Sequence, residues 1–204
     1  MKQVTEHTIF IVDDDEAVRG ALEMLVKSVG LSAETFDSAI VFLDQYDPTK
    51  SGCLILDIRM PMMGGLELQQ ELRNRKSALP IIFITGHGDI PMAVKAVKEG
   101  AVDFISKPFR DQELLDCINR AIRDLDEQQD RNLAKSKIAT NLAKLSPREK
   151  EVMDMVIEGK ANKVIAMELT LSERTVEVHR SHMMEKMQTR SLAQLVQMIT
   201  LLHN

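Results

Sequence analysis

Five short apolar runs dominate the first half of the chain, at residues 8–12, 33–36, 53–56, 80–84 and 102–106. Between them apolar residues recur at helical spacing, as at Val18, Leu22, Leu25, Val26 and Val29 ahead of Gly30. Helices are expected over 16–29, 38–45, 65–75 and 90–99, and from 111 onward. Short, mostly apolar strands that alternate with helices imply a parallel sheet covered on both faces. Ligands of such α/β folds sit outside the carboxyl ends of the strands.

The rest of the chain differs in kind. All seven aromatic residues lie before position 110. Residues 1–123 carry 14 Lys and Arg against 19 Asp and Glu, which accounts for the whole net charge of −5. Residues 145–204 carry eight of each sign. No Pro falls between Pro108 and Pro147 and no Gly between Gly100 and Gly159, so a helix can cross the middle unbroken. The expected organisation is one domain at 1–123, a helical linker at 124–144 and a second domain at 145–204. Hydrophobic residues make up 44% of the 204, a globular share that argues against a disordered chain. The longest charge-free run, 191–204, is fourteen residues. A spanning helix needs about 20, so no membrane segment is expected. No basic-then-apolar leader is present, which points to the cytoplasm. Cys53 and Cys117 match no metal or redox spacing and read as reduced thiols.

The strand ends hold the chemistry. Asp13, Asp14 and Asp15 follow the first run, Asp57 ends the third, Thr85 the fourth, and Lys107 follows the fifth. Carboxylates converging on one rim repel unless a cation neutralises them, and Mg²⁺ binds through one or two carboxylates, waters and phosphate oxygens. With one lysine and one hydroxyl alongside, the set reads as a phosphoryl site: a carboxylate nucleophile, a screening metal, and Lys and Thr on the phosphoryl oxygens. Asp15 reads as a helix cap rather than a ligand. His87, in Gly86-His87-Gly88, reads as a loop residue, and Met60, Met62 and Met63 as loop and packing residues.

Val12-Asp13-Asp14-Asp15, Leu56-Asp57-Ile58-Arg59-Met60-Pro61, Thr85-Gly86-His87 and Ser106-Lys107-Pro108-Phe109 resemble the receiver domain of bacterial two-component response regulators, over roughly residues 7–123. The resemblance implies a flavodoxin-like, doubly wound five-stranded sheet in the order 2-1-3-4-5. It implies that Asp57 accepts phosphate from a sensor histidine kinase. Asp13, Asp14, Asp57 and the Arg59 backbone carbonyl would hold Mg²⁺. Lys107 would pair with the phosphoryl oxygens, and its peptide to Pro108 would be cis. Thr85 and Phe104 match the switch pair of the family.

Asp111 can cap a helix carrying Leu114, Leu115, Ile118, Ala121, Ile122 and Leu125, after which 126–132 is wholly polar. The polar stretch reads as a solvated helix or tether rather than a dimer-forming signalling helix, because a coiled-coil seam needs apolar residues over several heptads. Ser146-Pro147-Arg148-Glu149 is a helix start with a capping box. Helices are expected from there to Gly159, over 162–169, from Ser172 to about Met187, and from a second box at Ser191–Gln194. A short helix, a tight turn and a longer helix make a helix-turn-helix, whose second helix enters the DNA major groove.

Leu145-Ser146-Pro147-Arg148-Glu149, Gly159-Lys160-Ala161-Asn162-Lys163-Val164-Ile165-Ala166 and Ser172-Glu173-Arg174-Thr175-Val176-Glu177-Val178-His179-Arg180 resemble the LuxR-type output domain, in its FixJ-like branch. The whole chain is thus identified as a member of the NarL/LuxR response regulators. Val176, Met183 and Met187 fall on the core side of the recognition helix. By family position Glu177, Val178 and Ser181 are the base-contact candidates. Lys163, Arg174, Thr175, His179 and Arg190 are phosphate candidates, and Arg180 is expected to snorkel to a phosphate. Net neutrality is unusual for a DNA-binding domain, so Arg174, Arg180, Lys186, Arg190, Lys160 and Lys163 are expected to line one side with acidic residues on the other. The seven Met residues after 150 read as core filler.

The expected function is phosphorylation-controlled transcription, most often activation. A homodimer would form through the surface near Val94, Lys95, Lys98, Val102 and Phe104, bind double-stranded promoter DNA and work with RNA polymerase. A phosphatase-like enzyme is the rival; such enzymes place a second acid two residues after the nucleophile, and here that residue is Arg59. An adaptor that binds protein or RNA is another, and duplex binding by 172–190 separates it from a regulator. An ATP-driven activator is excluded, because no phosphate-binding Gly-x-x-x-x-Gly-Lys-[Ser/Thr] sequence is present.

Overall fold

The structure, a computed structural model, describes residues 7–86 and 90–203. His87 and Gly88 lie outside them. The first compact unit ends at Glu127 and the second starts at Gln128.

In the first unit β1 (Thr8–Val12), β2 (Ser32–Phe36), β3 (Gly52–Asp57), β4 (Ile81–Thr85) and β5 (Asp103–Ser106) form one sheet in the order β2-β1-β3-β4-β5, with every pair parallel. Helices α1 (Glu16–Ser28), α2 (Ala39–Gln45), α3 (Gly65–Asn74) and α4 (Ile90–Lys98) connect the strands, and α5 (Asp111–Ala143) follows. The continuous apolar runs split by alternation onto two faces. Phe10, Val12, Leu54, Leu56 and Phe83 join Phe42 and Leu68 in one core. Ile9, Ile11, Cys53, Ile55, Ile82 and Ile84 join Val26, Leu114 and Ile118 in the other. Both cysteines are buried and free.

Local signals set the helix ends. Asp15 accepts from the N–H groups of Ala17 and Val18 and caps α1 as expected. Gly30, at φ 81°, closes it: its N–H meets the Lys27 carbonyl and the Leu31 N–H meets that of Val26, a pairing that a left-handed glycine permits. Asp111 does not cap α5. The Leu114 N–H bonds to the Arg110 carbonyl, so Asp111 is already the first helical residue and acts through its charge on the helix dipole.

Helix α5 is unbroken for 33 residues and crosses the division between the units. Its start packs Leu114, Cys117, Ile118 and Ala121 into the second core of the sheet. Its end places Ile138 in the core of the second unit, with Leu142 against it.

The second unit continues with α6 (Pro147–Ile157), α7 (Asn162–Leu169), α8 (Glu173–Lys186) and α9 (Leu192–His203). Val152, Ile165, Val176, Met183, Met187 and Leu195 are fully buried in its core. Ser146 and Glu149 form the full capping box of α6. The second box is incomplete. Ser191 caps the Gln194 N–H, but the Gln194 side chain reaches one residue further back, to the Arg190 N–H and the Thr189 hydroxyl. The turn between α7 and α8 passes through Thr170 in the left-handed region at φ 55°, and Ser172 caps α8. Six of the late methionines pack in or against the core, but Met167 on α7 is 74% exposed and is not filler.

Candidate functional site

At the carboxyl edge of the sheet, adjacent strands β1 and β3 deliver Asp13 and Asp57, both buried. Lys107, after β5, places its ammonium 2.8 Å from Asp13 Oδ2 and 2.8 Å from Asp57 Oδ1. The second oxygen of Asp57 accepts the Arg59 N–H at 2.7 Å, and the second oxygen of Asp13 accepts the Asp15 N–H at 2.9 Å. The Lys107–Pro108 peptide is cis. Gly65, at the start of α3, lies so close to the acceptor strand that a Cβ there would stand 2.3 Å from the Asp57 carbonyl oxygen. Only glycine lets α3 start against the Asp57 backbone.

One cation serves two buried carboxylates. Burial therefore raises the pKa of Asp57, with Asp13 adding to the rise, against the pull of Lys107 and the Arg59 N–H. Burial opposes the charge on Lys107, yet its bonds to Asp13 and Asp57 prevail and raise its pKa. Thr85, at the end of β4, is buried and donates to the Gly86 carbonyl at 3.2 Å. Phe104, opposite Phe83 in the β4–β5 pairing, is half-buried against the first core.

Asp14 is exposed beside Asp13. Among the described residues no three His, Cys, Asp or Glu side chains gather into a metal cluster. The donors present are two carboxylates on adjacent strands, a third beside them and backbone oxygen in the β3–α3 loop. An all-oxygen set with few carboxylates suits Mg²⁺, which keeps several of its waters. Arg19, on α1, donates from Nη1 to the Asp13 carbonyl at 2.6 Å. The sequence reading missed it, although helical side chains lean toward the helix N-terminus and so bring a residue on the second turn back over the loop.

In the second unit Arg174, Glu177, Val178 and Ser181 are exposed along α8, Lys163 on α7, and Arg190 between α8 and α9. Thr175 and His179 are half-buried. The expected basic side is smaller than drawn from sequence. Lys186 is committed to Glu149, meeting both carboxylate oxygens at 2.7 and 2.8 Å. Lys160 bridges Glu168 at 2.8 Å and Glu158 at 3.2 Å. Arg180 donates from Nη1 to the Asn162 side chain at 2.6 Å and ties α8 to the first turn of α7.

Fold and site together define a five-stranded parallel α/β unit with acidic groups and a lysine at its carboxyl edge, followed by a helix-turn-helix. The response regulator receiver domain family matches residues 9–119, and the luxR family of bacterial regulatory proteins matches residues 143–199. The chain is 50% identical over 188 residues to response regulator protein TodT of Pseudomonas putida, covering 92% of this chain and 83% of that protein. It is 43% identical over 194 residues to transcriptional regulatory protein FixJ of Bradyrhizobium diazoefficiens, covering 95% of each. The solved structure of response regulator StyR matches with a TM-score of 0.83 at 44% identity, over 96% of this chain and 98% of that one. The chain belongs to the response regulators of the NarL/LuxR family, with a receiver and a LuxR-type DNA-binding domain. The family is one of transcriptional regulators, not enzymes.

Proposed function

We propose that Asp57 is the phosphoacceptor of this regulator and that a sensor histidine kinase is its donor. The observation that carries the reading is Lys107 held between Asp13 and Asp57 at 2.8 Å from each. A carboxylate oxygen of Asp57 attacks phosphorus, the bond from phosphorus to the donor nitrogen breaks, and the electron pair leaves with that nitrogen. Lys107 then neutralises charge on the phosphoryl oxygens. The Thr85 hydroxyl leaves the Gly86 carbonyl for a phosphoryl oxygen, and Phe104 turns inward into the space vacated. Asp13, Asp14, Asp57 and the Arg59 carbonyl would hold Mg²⁺, which supplies charge screening between the carboxylates and the phosphoryl group.

The rearrangement reshapes the α4–β5 surface, where Val94 is exposed beside Lys95 and Lys98. A second copy of the chain docks there, and the dimer presents two α8 helices to two half-sites of promoter DNA. Glu177, Val178 and Ser181 read bases, while Lys163, Arg174, Thr175, His179 and Arg190 meet phosphates. Arg180 reaches a phosphate only by giving up or sharing Asn162. The functional domains are 1–123 and 145–204 with 124–144 as linker; the matches at 9–119 and 143–199 support two domains, while Ile138 and Leu142 of the linker already pack with the second. The protein works in the cytoplasm, where it recruits RNA polymerase.

The test is intact mass and oligomeric mass with Mg²⁺ and phosphoramidate, for the protein and for Asp57→Asn. Gain of one phosphoryl group and of dimer by the unsubstituted protein alone is expected. A phosphorylated Asp57→Asn protein would remove Asp57 from its role.

A further inference from the structure

We infer that Arg19 is a positioning residue of the acidic site: it fixes the Asp13 peptide and thereby sets the geometry in which the aspartates take a divalent cation. The inference rests on the phosphoacceptor reading above. Asp13, just past β1, still donates into the sheet, its N–H reaching the Phe36 carbonyl at 3.3 Å. Beyond it the chain turns into the Asp13-Asp14-Asp15 corner, which carries two of the expected cation ligands. Each oxygen of Asp13 has a donor there. Lys107 takes Oδ2, the Asp15 N–H takes Oδ1, and Arg19 Nη1 takes the carbonyl. Of these three donors, Arg19 is the one whose acceptor is the Asp13 main-chain carbonyl, and so it bears on the direction in which the chain delivers Asp14.

Arg19 is itself anchored. Its N–H bonds to the Asp15 carbonyl at 3.0 Å in the first turn of α1, whose start Asp15 caps. The corner is thus closed on both sides by α1: the Asp15 side chain fixes where the helix begins, and the Arg19 side chain reaches back from the helix to the strand end. A guanidinium suits this task better than an ammonium, because its planar donors hold one direction. It also places a positive charge beside Asp13, in addition to that of Lys107.

A residue that orients ligands without touching the cation changes metal affinity more than it changes chemistry, by roughly 10- to 100-fold when removed. The experiment compares the full chain with Arg19→Met, Arg19→Lys and Asp57→Asn in MgCl₂ titrations. Two quantities are read: thermal stabilisation without phosphate donor, and the rate at which phosphoramidate labels Asp57. Arg19→Met is expected to raise the Mg²⁺ midpoint of both by about tenfold, with the rate at saturating Mg²⁺ within about twofold of the parent. Arg19→Lys should recover part of the shift. An unchanged midpoint, or a rate lowered equally at every Mg²⁺ concentration, overturns the inference and leaves Arg19 a structural residue. If the parent is not labelled at Asp57 at all, the phosphoacceptor reading fails instead. Should Arg19→Met not fold, Arg19→Lys carries the same test, with a smaller midpoint shift expected and none overturning the inference.

Discussion

Each unit sets buried carboxylate against one lysine, Glu149 against Lys186 in the second and Asp13 with Asp57 against Lys107 in the first, and the two arrangements behave oppositely. In the second unit Glu149 receives Lys186 on both oxygens and the Ser146 N–H on one, and its pKa falls to about 2, chiefly through Lys186. In the first unit Asp57 receives Lys107 on one oxygen and the Arg59 N–H on the other, yet burial raises its pKa. The donors are alike; the sharing is not. Among the described residues Lys186 serves Glu149 alone, whereas Lys107 is divided between Asp57 and Asp13. A carboxylate whose charge is fully matched holds a fold together. One whose charge is under-matched waits for another partner, and strongly perturbed carboxylates gather at working sites for that reason. The geometry therefore separates a fully matched ion pair from an under-matched one.

The contrast is broken most directly at Lys186. Lys186→Met keeps the aliphatic stem and strips Glu149 of its cation, which should cost about 2 kcal/mol of second-unit stability near neutral pH. The pH dependence has a definite sign. Glu149 is depressed in the folded state, so its contribution is fully present above about pH 4.5 and drains away as pH falls toward about 2. Urea unfolding followed by circular dichroism, with hydrogen exchange in α6 and α8 to localise the change, checks both statements. Equal acid sensitivity in parent and variant would show that the pair is ornamental.

The next test sets the two carboxylates against each other with isosteric changes. Glu149→Gln should lower stability by about 1 kcal/mol, since it weakens charge-assisted bonds that the fold satisfies. Asp57→Asn should raise stability by about 1 kcal/mol, since it removes a buried charge that the fold under-compensates. For Asp57 the raised folded pKa means that ionisation burdens the native state above that pKa. The advantage of Asp57→Asn should therefore shrink as pH falls into the range where an unfolded aspartate protonates. Melting temperatures of both variants over a pH series decide it, and shifts of the same sign would dissolve the contrast.

Much of this was legible in the sequence because it depends on local signals. Strand positions, the Asp15 cap, the Ser146–Glu149 box and the order of acidic residues at strand ends are set by neighbours within a few positions. The Asp111 and Gln194 expectations each went astray by one residue: α5 already starts at Asp111, and the Gln194 side chain meets the N–H of Arg190 rather than that of Ser191. The ion pairs were not legible. Glu149 and Lys186 lie 37 residues apart and meet only because α6 packs on α8. Arg180 finds Asn162 by the same route, across the α7–α8 contact. Sequence shows how many charges a domain holds; packing decides which of them remain available to a ligand.

The smallest expected effect sharpens that last point on the DNA face. Lys160 and Lys163 stand three residues apart before and within α7; charge alone puts both on the basic side, and only the family position singles out Lys163 as a phosphate contact. Lys160 is engaged by Glu158 and Glu168, whereas Lys163 is exposed. Losing one phosphate contact lowers the slope of log affinity against log salt by about 0.9 for duplex DNA. Lys163→Ala should show that loss, with the affinity for specific and random duplexes falling together. Lys160→Ala should leave the slope unchanged and stability nearly so, as surface pairs do. Fluorescence anisotropy with a labelled duplex at several salt concentrations measures both slopes on the phosphorylated protein. A slope that falls for Lys160→Ala would mean that DNA phosphates displace Glu158 and Glu168, and that the internal pairing of this helix-turn-helix yields on binding.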